Sequence, residues 1–115
     1  MKSAQPSGGS SRGKIRHTFQ QSVVKIFSAR LDAEMSKLGW SAPLLSQATG
    51  IRQQTVRRLR HGEREVTASE LHLICEALGW DATMVLRETI AQATELERID
   101  AAEGHELDRR LDTLL

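Results

Sequence analysis

The chain has 115 residues, 39% hydrophobic and 3% aromatic with no Tyr, and its wealth of Leu, Ala, Arg and Glu favours an all-α domain over strands. A single cysteine, Cys75, excludes an intramolecular disulfide, and no run approaches the roughly 20 apolar residues of a membrane helix, so a cytoplasmic protein is expected. The net charge of +1 conceals a division: residues 1–64 carry twelve Lys and Arg against three acids, and residues 65–115 carry four Arg against twelve acids, which implies one anion-binding half.

Residues 1–20 read as a flexible basic arm. The stretch SAQPSGGSSRGK is rich in Ser, Gly and Pro, has no apolar period, and lacks the apolar segment of a secretory signal. A first helix is expected from Ser22 to Leu38, with Val23, Phe27, Leu31, Met35 and Leu38 on its buried face and Gly39 as its stop. LGWSAPLL (38–45) and LGWDATMVL (78–86) then use the same punctuation twice. In each, a glycine ends one helix, Ser41 or Asp81 caps the next, and Trp40 or Trp80 is placed to staple onto Leu45 or Val85.

A short second helix, about Ala42 to Ala48, tolerates Pro43 because first-turn N–H groups have no helical acceptors. Gly50 opens a turn into a third helix. After Gly62, TASE (67–70) spells a capping box, followed by a buried stripe of Leu71, Ile74, Ala77 and Leu78. The fifth helix is expected to start after Asp81 and run through Leu86, Ile90, Ala93 and Leu96 or Ile99 to Gly104, with a last segment placing Leu107, Leu111 and Leu114 on one face. This divides the chain into an arm (1–20), a helical domain (21–91) and an acidic amphipathic helical segment (92–115).

The third helix carries the chemistry. Wound at about 100° per residue, Gln53, Arg57, His61, Gln54 and Arg58 share one face while Val56 and Leu59 lie opposite. No acid lies between Glu34 and Glu63, so the i, i+4 charge pairs of an ordinary solvated face are missing. Gln can grip adenine through N6 and N7, and Arg can fork onto guanine O6 and N7. A helix so furnished, after a short helix and a tight turn, is expected to read double-stranded DNA in the major groove.

Residues 31–86 resemble the Cro/CI-type helix-turn-helix domain, the XRE family of phage repressors and bacterial regulators. The resemblance rests on WSAPLLSQATGIRQQTVRRLRHG, which supplies the Ser cap, Leu45 and Ala48 for packing in the second helix, the turn Gly50, Ile51, and then Thr55, Val56 and Leu59 before Gly62; LHLICEALGW resembles the family's fourth helix. It implies a five-helix lambda-repressor-like fold. It also implies base-reading roles for Gln53, Gln54, Arg57 and Arg58, and phosphate contacts from Ser41, Arg52, Thr55, His61 and Arg64. Two features depart from the family: Ala42 and Pro43 stand where a bracing Gln is usual, and Glu63 and Glu65 flank Arg64. The arm residues Arg12, Lys14 and Arg16 are expected to add salt-sensitive affinity for DNA, against the plainer reading of a solubilising tail.

No P-loop, nucleophile elbow or catalytic carboxylate pair stands out, so no enzyme and no cofactor are expected. His72 and Cys75 lie three apart, but a zinc site needs more ligands, and no metal is expected. Leu107, Leu111 and Leu114 are expected either to bury against the same domain or, the favoured reading, to pair with a second copy, setting two reading helices about 34 Å apart on a pseudo-palindromic operator. The resemblance thus implies a transcriptional repressor, either a phage immunity repressor or a host regulator. Too little chain follows the fifth helix for a sensor domain, so control by concentration or by a protein antagonist is expected. A rival reading is an antitoxin-type module whose acidic C-terminal segment clasps another protein.

Overall fold

The computed structural model describes residues 18–114 in backbone, with side chains described through Ala102. Arg12, Lys14 and Arg16 lie outside the described residues, as do the side chains of Leu107, Leu111 and Leu114. Five helices follow one another: α1 (Phe19–Leu38), α2 (Ala42–Thr49), α3 (Gln53–Arg60), α4 (Ala68–Leu78) and α5 (Ala82–Leu114). Among the described residues there is no strand, and no helix is long and apolar enough to cross a membrane.

Helix α1 begins one turn earlier than its apolar period indicated. Thr18 accepts a hydrogen bond from the Gln21 N–H at 3.1 Å and its own N–H donates to Gln21 Oε1 at 2.9 Å, a reciprocal cap that recruits Phe19 to Gln21 into the helix. Phe19 and Gln20, assigned to the arm by composition, are therefore helical. Ser22, Phe27, Leu31 and Met35 are buried, Val23 is half-buried, and Leu38, expected in the core, is 43% exposed. The helix ends there, and the next N–H groups turn back onto it, Trp40 donating to the Met35 carbonyl at 2.9 Å. At the second Leu-Gly-Trp, Trp80 donates in the same way to the Cys75 carbonyl at 2.8 Å. Both tryptophans pack half-buried on the cluster containing Leu45 and Val85.

Helix α2 starts under Ser41, whose hydroxyl accepts from the Leu44 N–H at 3.4 Å, with Pro43 in its first turn. Ala42 and Leu45 face the core, but Ala48 is exposed, contrary to the packing implied by the resemblance. Ala42, Leu45 and Thr49 are spaced i, i+3, i+7, so the inward stripe passes Ala48 by. Polar side chains tie the turn instead. Thr49 Oγ1 donates to the Leu45 carbonyl at 2.7 Å and accepts from the Ile51 N–H at 3.1 Å, while Ser46 Oγ donates to the Ile51 carbonyl at 2.5 Å. Gly50 supplies the left-handed residue, φ 81°, that this turn requires.

Helix α4 opens on the expected capping box of Thr67 and Glu70 and buries Leu71, Ile74 and Cys75, with Ala77 and Leu78 half-buried. Burial pushes the Cys75 thiol above its ordinary value, with Asp81 acting the same way and Arg30 against it. His72 is exposed beside Glu76.

Helix α5 is a single 33-residue element running through Gly104, which was expected to end it. Helix-forming residues continue on both sides, and an interior glycine costs about 1 kcal/mol relative to Ala, less than the helix gains by continuing. The expected boundary at 91/92 therefore falls inside a helix. Its buried face is Val85, Thr89 and Ala93, spaced i, i+4, i+8. Of the stripe foreseen for this helix only Ala93 is buried; Leu86, Ile90, Leu96 and Ile99 are 42–48% exposed. Arg30 binds α5 to α1, pairing with Glu88 at 2.6 Å while its guanidinium lies 5.1 Å from the Trp80 ring centre.

Candidate nucleic-acid interface

Helix α3 is held from one side. Val56 and Leu59 are 0% and 1% exposed, and Ile51 just before the helix is 8% exposed. These anchors fix which way the other residues point. Gln54, Arg57, Arg58 and His61 are exposed and Gln53 is half-buried at the edge of the same face. Neither Arg57 nor Arg58 forms an ion pair with any described residue. Their place in the last turn sets their charge where the helix dipole favours it.

The residues expected at phosphates divide. Ser41 and His61 line one shallow groove of about 380 Å³ together with Ala42, Pro43, Arg57, Arg60 and Asp32. The start of α2 thus meets the end of α3, and the Ser41 hydroxyl shares one groove with the side chains of Arg57, Arg60 and His61. Arg52 is exposed and Thr55 half-buried at the opposite end of α3.

Arg64 does not join either group. Its Nη1 donates to both oxygens of Glu70, at 2.9 and 3.0 Å, and its side chain is only 28% exposed. Burial alone would raise the Glu70 carboxyl; the hydrogen bond from the Thr67 backbone and the hydrogen bond and charge of Arg64 outweigh it, and Glu70 lies below the usual carboxylate range. Arg64 therefore secures the α4 cap. Glu63 and Glu65 beside it are exposed, and Glu65 accepts from Gln20 Nε2 at 2.9 Å. Gly62 passes so close to α1 that a Cβ there would stand 3.1 Å from Ser28 Oγ, at a φ of 72° that already disfavours other residues.

Sequence reasoning missed one participant. Arg60 is not part of the unpaired set, because its Nε donates to Asp32 Oδ1 at 2.6 Å and its Nη2 to Ser36 Oγ at 3.1 Å. Asp32 lies 28 residues away on α1, and no local spacing rule links it to α3.

Over residues 30–81 the chain matches the Cro/C1-type HTH DNA-binding domain. Those residues form a Cro/C1-type helix-turn-helix domain. The domain runs from Arg30, midway along α1, to Asp81, the residue before α5, and includes the whole of α2, α3 and α4. No curated protein matches the chain. Among solved structures it is similar to the clp gene regulator ClgR from Corynebacterium glutamicum, with 22% identity and a TM-score of 0.53, over 84% of this chain and 93% of that one. At that identity the likeness concerns the fold, and it extends the five-helix arrangement beyond the Cro/C1-type domain into α5.

Proposed function

We propose that the protein is a sequence-specific transcription regulator, a repressor that lays α3 in the major groove of its operator. Gln53, Gln54, Arg57 and Arg58 read base edges; Ser41 and His61 at one end of α3, and Arg52 and Thr55 at the other, contact phosphates. Arg64 is left out because its guanidinium is committed to Glu70. The observation that carries this reading is the outward projection of three long polar side chains and the half-buried Gln53 from a helix docked by two apolar ones, with Arg57 and Arg58 unpaired among the described residues. Arg12, Lys14 and Arg16 add sequence-independent affinity from the arm.

A second copy completes the reader. One small module touches too few bases for high discrimination, and five of the nine large hydrophobics exposed among the described residues lie on α5. Pairing along α5, extended by Leu107, Leu111 and Leu114, would place two α3 helices on a pseudo-palindromic site. A protein antagonist, as in an antitoxin, is the alternative occupant of α5. Footprinting across the protein's own upstream DNA tests the main reading. Protection of a discrete two-fold site by a dimer is expected; binding of all duplexes alike at every salt concentration would refute sequence-specific regulation.

A further inference from the structure

We propose that Arg60 is a positioning residue for base reading, held off the DNA by Asp32 and Ser36 so that it fixes the pose of α3 instead of neutralising a phosphate. This rests on the reading of α3 as the base-reading helix and names what sets its aim.

Helix α3 is eight residues long and is anchored in the core by Val56 and Leu59. Two apolar anchors fix how deep a short helix sits, but sliding and rolling about them costs little because such contacts are not directional. A third, directional point is needed to hold the tilt. Arg60 is the last residue of α3, and Asp32 and Ser36 are one turn apart on α1. Two N–H groups of one rigid guanidinium, Nε and Nη2, meet two acceptors on one helix face at 2.6 and 3.1 Å, which favours one rotation of α3 about its apolar anchors relative to α1. The Arg60 side chain is 22% exposed, less than that of Asp32 at 55%.

Asp32 also lines the groove formed by Ser41, Arg57, Arg60 and His61. Its carboxylate takes one cation out of that groove and sets a negative charge beside the others. Attraction to any duplex is thereby weakened while the aim of α3 is sharpened, and both changes favour discrimination between sequences. A pair serving only to hold the fold together would show no such opposition.

The test uses the full chain, its footprinted operator and a random duplex of equal length, each titrated over a salt series, with thermal melts to verify folding. For Arg60→Met, affinity for the operator is expected to fall about tenfold more than affinity for random DNA, a loss at the lower end of one good base contact, with the salt slope unchanged because no phosphate contact is lost. For Asp32→Ala, which releases Arg60, random DNA should bind more tightly, with a salt slope steeper by about 0.9 for one added phosphate contact, and the operator-to-random ratio should again fall about tenfold. Should Arg60→Met fail to fold, Ser36→Ala, which removes one of the two acceptors, is expected to lower the ratio in the same direction. Equal losses on both duplexes with a shallower slope in Arg60→Met would make Arg60 a phosphate contact and overturn the proposal, as would an unchanged ratio in the folded variants. If the unaltered protein bound no duplex, the reading of α3 itself would fall.

Discussion

Helices α3 and α5 each turn one side to the core, yet their solvent sides differ in kind. That of α3 presents Gln54, Arg57 and Arg58, groups that water solvates well and that a polyanion can recruit. That of α5 presents Met84, Leu86, Ile90, Leu96 and Ile99, whose area water disfavours by about 25 cal/mol per Å². A charged face can stand alone in water until its ligand arrives. Apolar side chains left exposed on one helix gain by being covered, which in the proposed reading a second copy does. The split of charge along the chain follows the same division.

The largest expected effect comes from undoing the anchorage of α3. Leu59→Ala deletes a fully buried side chain and should cost about 2 to 5 kcal/mol of stability in a denaturant melt, with DNA binding lost alongside. A cost below about 1 kcal/mol would mean that α3 is not docked as described. On α5 the matching change is Leu86→Lys with Ile90→Lys, two exposed residues one turn apart. Self-association measured by sedimentation should weaken by about a hundredfold or more, as loss of two buried apolar side chains dictates, with monomer stability altered by less than about 0.5 kcal/mol. Unchanged association would remove α5 from the proposed dimer interface.

Between these lies the reading face. Arg57→Ala or Arg58→Ala should cost about 1 to 3 kcal/mol on the operator and less on random DNA; equal losses on both duplexes would reassign the arginine to a phosphate. The smallest effect concerns Glu70. Its carboxyl is lowered in the folded state, so its contribution is present above the ordinary carboxylate range and disappears as pH falls through the lowered value. Glu70→Gln should flatten that part of the stability curve by less than about 1 kcal/mol, because the pair keeps contact with solvent. An acid limb identical in the variant would show that Arg64 and the α4 cap gain nothing from the charge.

Much of the architecture was legible in the residues. The Thr67–Glu70 capping box, the paired Leu-Gly-Trp stops, and the Val56 and Leu59 anchors all depend on neighbours within one or two turns, and each is present in the fold. The failures share another character. Leu38 and Ala48 were assigned to the core, yet both are exposed, because a periodic stripe says which residues share a face but not how much of that face a neighbour covers. Similarly, the apolar residues of α5 suggested one buried side, whereas α1 covers the narrower line of Val85, Thr89 and Ala93.

By itself, then, the sequence determined the helices, the glycine stops at Gly39, Gly50 and Gly79 and the polar face of α3, since these follow from spacing along one chain and from local hydrogen bonds. Which arginines face solvent was decided only in three dimensions. Arg57 and Arg58 have no described ion-pair partner, while Arg30, Arg60 and Arg64 are taken by Glu88, Asp32 and Glu70. The separations for Arg30 and Arg60 are 58 and 28 residues. A salt bridge is a matter of a few ångströms between side chains, and distances between separate helices are set by how their apolar faces pack, which no local pattern encodes.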